Sequence, residues 1–269
     1  MPRVSIIMGV YNGFKRMDRS IQSIIEQTYK DWEFIICDDG SSDDSYKKLQ
    51  GYATKDNRIV VMKNVQNAGL AQTLNNCLKE VKGEYVARMD DDDYSHPDRL
   101  EKEVAFLDIH PEYAIVATAR NMVDEEGTWG EDTFVGERSS SDIYRGYMFA
   151  HPTVMIRKEA YDKVGGYSTY PGIGREEDTD LWCKMYANGY KGYIMGEKLL
   201  DYFESRSSMT RRKFKYRFAE TRIKLKYRSR LDVPFYMIPL AFKPILVGML
   251  PKVVVEMYHH YIFNKEIDK

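Results

Sequence analysis

The chain has 269 residues, 43% of them hydrophobic and 30% charged, with a formal net charge of −1. That length and balance exclude a disordered chain and supply enough apolar material for one large domain or two small ones. Three widely spaced cysteines, Cys37, Cys77 and Cys183, form no CxxC pair, which argues against disulfide or zinc chemistry and for small core residues in a reducing cytoplasm.

The opening "MPRVSIIMGVYNG" enters a strand without a charged n-region and a long apolar h-region, so no signal peptide is expected. "VSIIM" (4–8) predicts a buried strand, and "MDRSIQSIIEQ" (17–27) has apolar residues at helical spacing. "EFIICDD" (33–39) predicts a second strand ending in acids. "SDDSYKKLQGYA" (42–53) predicts a helix with Asp43 or Asp44 as N-cap. A third strand, "RIVVMKN" (58–64), leads to the helix "GLAQTLNNCLKEVKG" (69–83), with Gly83 expected as its C-terminal glycine. "EYVARMD" (84–90) is a fourth strand, and "HPDRLEKEVAFLDIHPE" (96–112) a helix bounded by prolines with Asp98 near its start. Beyond it the alternation loosens into "AIVATA", "HPTVMIRKEAYDKVGGY" and the helix "EEDTDLWCKMYANGY", closed by Gly189. There is no internal repeat and no low-complexity linker. Near-continuous apolar strands alternating with helices imply a mainly parallel sheet covered on both faces. Ligands of such sheets bind beyond the carboxyl ends of the strands. Those ends carry Tyr11, Asp38, Asp39, Asn67 and Asp90 to Asp93.

The acid run is the sharpest signal. In "ARMDDDDYSHPDRL" (87–100) four aspartates follow a buried strand directly. Two like charges at ~4 Å repel by about 1 kcal/mol even in bulk water. "GVYNG" has neither GxGxxG spacing nor the Lys-Ser/Thr of a Walker loop, so no glycine loop cradles phosphate. The other way to hold a diphosphate is a hard divalent cation on carboxylate oxygens. Asp90 and Asp92, two apart at a strand end, are placed to share Mn²⁺ or Mg²⁺. The plainer reading is a solvated acidic turn with Asp93 or Asp98 capping a helix.

Five separated segments carry a resemblance that covers roughly residues 3–210 in order. "VSIIMGVYNG", "DWEFIICDDGSSDDS", "NAGLAQTLNNCLKEVKGEYVARMDDDD", "HPTVMIRKEAYDKVGGY" and "REEDTDLWCKM" resemble segments of the inverting family 2 nucleotide-sugar glycosyltransferases. The resemblance implies a GT-A fold: an α/β chain with a single Rossmann-like, mainly parallel sheet flanked by helices. It implies a catalytic domain over 1–205, with a nucleotide-binding half (1–100) and an acceptor half (101–205). Around the nucleotide it places Val10, Tyr11, Asn12, Asp39, Asn67, Arg88, Asp90 and Asp91. Asp39 would accept from the nucleobase ring N–H. Asp92 would be the direct metal ligand, with Asp90 beside it. Asp178 would be the catalytic base, with Glu177 and His151 on the acceptor side. On the residues alone, Asp39 is either a nucleobase contact or a helix cap, and Asp43 and Asp44 stand better placed for the cap. Arg88 is answered either by a neighbouring acid or by the donor. Asp178 is either an N-cap or a base, and the family pairing favours the base.

The implied reaction is one displacement. The cation stabilises the departing diphosphate, the acceptor hydroxyl attacks from the opposite face, and Asp178 takes its proton. The donor by resemblance is a uridine diphosphate sugar, and the acceptor a saccharide or lipid-linked saccharide in surface polysaccharide synthesis. Many relatives carry Y-R-x-H-x-x-S-x-S after the last core strand. Here "YFESRSSMT" keeps Tyr202, Ser208 and Thr210 but has Phe203 and Ser205 where Arg and His stand, which leaves Arg206 as the candidate phosphate partner. The competing readings are a nucleotidyltransferase, weakened by "YNGFKR" in place of a Gly-rich basic loop, and a catalytically dead carbohydrate- or lipid-binding protein.

The near-zero net charge conceals a segregation. Between Ser205 and Arg230 stand eleven Lys/Arg and one acid, Glu220, a charge of +10 that leaves −11 for the rest. Next comes "VPFYMIPLAFKPILVGMLPKVVVEMY", long enough to span a membrane but broken by Pro234, Pro239, Pro244 and Pro251 and carrying Lys243 and Lys252. A proline inside a helix costs about 3 kcal/mol. Residues 206–269 are therefore expected to form a basic, amphipathic helical extension attached peripherally to the inner face of the cell membrane. The alternative is packing on the catalytic domain or a contact in a homo-oligomer. No nucleic-acid module accompanies the basic patch, so nucleic acid is not expected as a partner.

Overall fold

The run Val4–Val10 offers no polar face, and as a strand it is covered on both sides along almost all its length. The computed structural model of the protein describes residues 1–132, 134–204, 214–250, 254 and 257. The chain runs β1 (Val4–Val10), α1 (Met17–Ile25), β2 (Trp32–Asp38), α2 (Ser45–Ala53), β3 (Ile59–Lys63), α3 (Leu70–Glu80), β4 (Tyr85–Arg88), β5 (Tyr94–Ser95), α4 (Arg99–Ile109), β6 (Ile115–Asp124), β7 (Gly127–Asp132), β8 (Gly136–Arg138) and α5 (Ser140–Arg145). It continues through β9 (Val154–Arg157), α6 (Lys158–Val164), α7 (Glu177–Ala187), β10 (Gly192–Phe203), α8 (Phe214–Tyr227) and α9 (Lys243–Met249), with 3₁₀ turns at His151–Thr153 and Phe235–Phe242.

One sheet joins the strands in the order β3-β2-β1-β4-β9-β6-β10-β5, with β7 beside β6 and β8 beside β10. The half β3-β2-β1-β4 is wholly parallel, because each strand returns through a crossover helix. The second half is mixed. β9 runs antiparallel to both β4 and β6, whereas β10 is parallel to β6. The fold is therefore GT-A in character, with parallel pairing concentrated in the half that the βα alternation marks in the sequence.

Alternation along β1 divides the core. Ile6 and Met8 pack with Ile21, Ile24, Leu100 and Leu107 on one face. Ile7 packs with Ile35, Leu74, Cys77, Leu181 and Trp182 on the other. All three cysteines are free and buried. The same second layer contains Ile223, Tyr227, Leu231, Val233, Met237 and Ala241, so α8 and the turn after it share a core with α7. No helix among the described residues is long and apolar enough to cross a membrane.

Two local expectations change. α3 ends at Glu80 with Val81 extended, so Gly83 is not its C-terminal glycine. Gly83 instead lies against β1, where a Cβ would come within 2.7 Å of the Ser5 backbone nitrogen and 2.9 Å of the Arg3 carbonyl oxygen. At α2 the residue in the N-cap position is Asp44, but the side chain that bonds is that of Asp43, which accepts from the Ser45 amide at 3.0 Å and its hydroxyl at 2.5 Å. Gly189, at φ +85, does close α7.

Candidate active site

The parallel half delivers its polar residues to one edge. Register pairs Val10 with Asp38 and Ile7 with Arg88, so the carboxyl ends of β1, β2 and β4 open side by side. A cleft of about 660 Å³ lies there. Val10, Tyr11, Asp39 and Asn67 form one side, and Thr169, Gly174, Arg175 and Glu177 the other. Tyr11 is half exposed, a ring available to an incoming planar group.

Asp39 is buried, and its carboxylate is not free. Oδ1 accepts from Asn64 Nδ2 and the Ala68 amide, each at 2.8 Å, and Oδ2 accepts from the Gly69 amide at 2.9 Å. It thus satisfies amides at the head of α3, a capping task the sequence reading assigned to other acids at another helix. Asn12 lies outside the cleft lining, at φ +52, with its carboxamide oxygen accepting from the Ser42 amide at 2.9 Å. It tethers the 40–44 loop to the end of β1.

The acid turn follows β4. Arg88 is fully buried and donates through Nη2 to Asp90 Oδ1, while its Nε and Nη1 have no hydrogen-bond partner. Of the two answers to its charge, the contact present is the neighbouring acid. Arg88 is fully buried and Asp90 partly so, and the contact holds the Asp90 carboxylate at the end of β4. Burial, then the charges of Asp92 and Asp90, push Asp91 up to about 7. Burial and Asp90 push Asp92 up to about 6. Asp93 is fully buried, accepts from the Phe203 amide at 2.8 Å and leaves Oδ2 unpartnered. It joins the turn to the end of β10, a structural task distinct from its neighbours'. Arg16 reaches Asp92 Oδ2 at 3.4 Å with more than half its side chain in solvent. A pair this exposed is worth ~0–1 kcal/mol, too little to relieve the crowding.

These residues fit a divalent cation. No three His, Cys, Asp or Glu side chains among the described residues converge as a metal cluster, so the chain itself would offer the Asp90 and Asp92 carboxylates. Magnesium-like ions are commonly held by one or two carboxylates, completed by water and substrate phosphate oxygens. The raised Asp91 and Asp92 report burial first and then repulsion among the acids, both of which a cation would offset.

Across the cleft, α7 begins after Glu176. Glu177 is buried in the wall, and burial, then the adjacent Asp178 charge, push it up to about 7. Asp178 is the second helical residue, not the N-cap, and accepts from the Thr179 amide at 2.6 Å. His151 is not among the residues lining the cleft. Its Nε2 lies 2.8 Å from the Tyr167 hydroxyl, which lies 3.0 Å from that of Tyr161. Burial, then Arg88, hold its pKa well below the usual histidine value, so it is neutral at pH 7. Arg206, with residues 205–213, lies outside the described residues. The sequence reading missed Arg16, which reaches Asp92, and Arg175, in the cleft wall. Their signals were a basic pair in "YNGFKR" and the residue before the Glu-Glu-Asp run.

The description "Glycosyl transferase family 2" belongs to the family model that matches residues 5–170. EpsE of Bacillus subtilis (strain 168), assigned as a glycosyltransferase, is 37% identical over 259 residues, 96% of this chain and 93% of its own length. WfaP of Escherichia coli, named UDP-Glc:alpha-D-GlcNAc-diphosphoundecaprenol beta-1,3-glucosyltransferase, is 31% identical over 195 residues, 71% of this chain and 73% of its own. Among solved structures, S. aureus TarS in complex with UDP-GlcNAc superimposes with a TM-score of 0.72 at 19% identity, covering 91% of this chain and 71% of that one. The mannosyltransferase PcManGT from Pyrobaculum calidifontis, in complex with GDP-Man and Mn²⁺, gives 0.63 at 18% identity, with 97% and 74% covered. At these identities the structural likenesses speak for the fold.

Proposed function

The chain belongs to glycosyl transferase family 2, and on that premise we propose that it moves a sugar from a uridine diphosphate sugar to a hydroxyl of a saccharide or lipid-linked saccharide, with inversion, in surface polysaccharide synthesis. The observation that carries this reading is Glu177, at the head of α7, in the lining of a cleft at the carboxyl ends of the strands, with Arg88, which holds Asp90 of the acid turn, near enough to act on its charge. The names of WfaP, with a UDP-glucose donor and a lipid diphosphate-linked acceptor, and of the UDP-GlcNAc complex of TarS support the donor and acceptor classes.

The chemistry divides between the two sides. Val10, Tyr11 and Asn67 receive the nucleoside, and Asp39 shapes their edge by holding the loop at 67–69. Asp90, in contact with Arg88, and Asp92 would hold Mn²⁺ or Mg²⁺. A cation bound there supplies Lewis-acid stabilisation of charge on the departing diphosphate. Asp178 accepts the proton of the acceptor hydroxyl as it attacks the anomeric carbon. The amide ends at the head of α7 favour negative charge there, and the Asp178 charge, after burial, raises the neighbouring Glu177. A single protein base suffices, unlike the two-carboxylate arrangement of glycosidases. Arg175, in the wall beside Glu177, is the cation nearest to hand for donor phosphate.

A thermal-shift panel of nucleotide sugars with Mn²⁺ and with chelator tests this. A ligand of the native state stabilises by about 2.7 kcal/mol at a hundredfold excess over its dissociation constant. The reading predicts cation-dependent stabilisation by a uridine diphosphate sugar. Stabilisation by a nucleoside triphosphate alone would favour nucleotidyl transfer instead.

A further inference from the structure

The part of the chain least used by the transfer reaction is the surface after α8. From Val233 to Leu250 the sequence carries one charge, Lys243. Met237 and Ala241 are buried and Leu240 packs against the core, but the large apolar residues on either side of them stay in solvent. Phe235 is 79% exposed, Tyr236 77%, Leu246 62% and Met249 71%. Phe242 and, on α8, Phe214 and Phe218 add to the same exposed set. α9 crosses α8 here. Arg217 Nη1 donates to the Pro244 carbonyl at 3.1 Å, and Gly248 lies close against Phe214 and the Arg217 side chain. So many large apolar side chains in water on one short segment exceed the scattered exposure normal for a soluble surface.

The surroundings of this face are basic. Lys243 is exposed within the segment and Arg230 shortly before it, and Lys215, Arg222 and Lys226 are exposed along α8. Arg228 lies over the Phe235 ring at 5.9 Å and Lys243 near the Tyr147 ring at 5.7 Å. The acids of the described stretch 214–250 are Glu220, paired with Lys224 at 2.9 Å, and Asp232. Aromatic rings flanked by exposed cations match a bilayer interface, where rings sit at headgroup level and cations meet phosphate. Three prolines and short 3₁₀ and helical pieces suit a segment that lies in the interface and does not cross it.

We propose that the face formed by Phe235, Tyr236, Phe242, Leu246 and Met249, with its rim of Arg230 and Lys243, is a membrane-docking surface for anionic phospholipid. The face is joined to the active site through α8. A Cβ on Gly174 would fall 2.5 Å from the Tyr216 ring, and Lys226 Nζ lies 3.6 Å from the buried Asp180 Oδ1, two residues after Asp178. Docking therefore holds the cleft wall that contains Gly174 and Arg175 at the lipid surface. The proposal stands apart from the transfer reading: a soluble acceptor would leave it intact, and its failure would leave the chemistry intact.

The test is sedimentation of the full chain with vesicles of phosphatidylcholine alone and of phosphatidylcholine mixed with phosphatidylglycerol. Each basic residue near an anionic surface contributes roughly fivefold in partitioning. The wild-type chain should pellet with the anionic vesicles and release at high salt. Phe235→Ser/Tyr236→Ser should weaken pelleting by about tenfold or more, and Arg230→Glu/Lys243→Glu should abolish the preference for anionic lipid. All four side chains are exposed, so melting temperature should hold; Leu246→Ser/Met249→Ser gives an independent probe of the same face. No pelleting by the wild type, or equal pelleting by wild type and both apolar variants, overturns the proposal. So does a dimer in sedimentation velocity that the apolar variants dissociate, since the face would then belong to a second copy.

Discussion

Replacing Asp39 by asparagine separates two roles that one side chain is asked to fill. The carboxylate is 4% exposed and accepts three N–H bonds at 2.8, 2.8 and 2.9 Å. The carboxamide has the same shape but turns one acceptor into a donor. Whichever orientation it takes, at least one N–H of Asn64, Ala68 or Gly69 then faces another N–H, and the remaining bonds lose charge assistance. A hydrogen bond to a charged group contributes about 1.5–3 kcal/mol, and a stranded buried donor costs about 1–3. The loss for Asp39→Asn is therefore about 2–4 kcal/mol, a large share of the ~5–15 kcal/mol of a whole protein. Urea unfolding should show a lower midpoint with an unchanged slope, and exchange of the Ala68 and Gly69 amides should accelerate. Uridine diphosphate affinity should fall with it, because the same loop edges the cleft. If nucleotide binding falls while the urea midpoint stays at the wild-type value, Asp39 is a nucleobase contact alone and the structural argument is refuted.

Asp92→Asn should leave the fold intact and remove the gain in nucleotide affinity that Mn²⁺ confers; equal affinities with Mn²⁺ and with chelator in the wild type would sink the metal site. Asp91 at about 7 and Asp92 at about 6 favour their protonated forms in the folded chain. Their contribution to stability is thus full below the ordinary carboxylate range and lost as pH rises through about 6 to 7. The melting temperature of the metal-free protein should fall across that window and Mn²⁺ should restore it, so a flat profile would contradict the crowding. Asp178→Asn should keep donor binding and lose transfer by roughly 10²–10⁴-fold, whereas retained turnover with a lowered melting temperature would leave Asp178 a first-turn helix residue only. With Glu177 pushed up to about 7, its protonation as pH drops through that value removes the charge beside Asp178 and leaves the base ionised, so activity should hold below pH 7 and Glu177→Gln should keep the wild-type profile there; a wild-type limb near 7 that Glu177→Gln abolishes would make Glu177 the base.

The parallel half of the sheet is legible in the sequence because each strand there is a continuous apolar run followed by an amphipathic helix, as in β1–α1 and β3–α3. The acid turn is legible because four adjacent carboxylates after a buried strand demand an explanation. β9 is a different case. Its four residues enter the sheet between β4 and β6 in the opposite direction, and a pattern of period two holds no information about direction or neighbour. Gly83 follows a helix in the sequence, but its reason lies in β1, which is distant along the chain. The division of labour among the four aspartates was also hidden. Burial of Asp93 against Phe203 and the Arg88–Asp90 pair are long-range or packing facts. In the C-terminal stretch, apolar residues bound for the core, such as Met237, and those left in solvent, such as Tyr236, are adjacent, so composition alone could not sort them.

The central claim, transfer with inversion at a cation-assisted site, is tested most directly by the stereochemistry of slow donor hydrolysis. The full chain is incubated with an α-linked uridine diphosphate sugar and Mn²⁺, with water as acceptor. The anomeric proton of the released sugar is then followed by NMR before mutarotation scrambles it. One displacement opposite the leaving group predicts that the β-anomer forms first, and that Asp178→Asn forms it far more slowly. Initial release of the α-anomer by the wild-type chain would contradict the account.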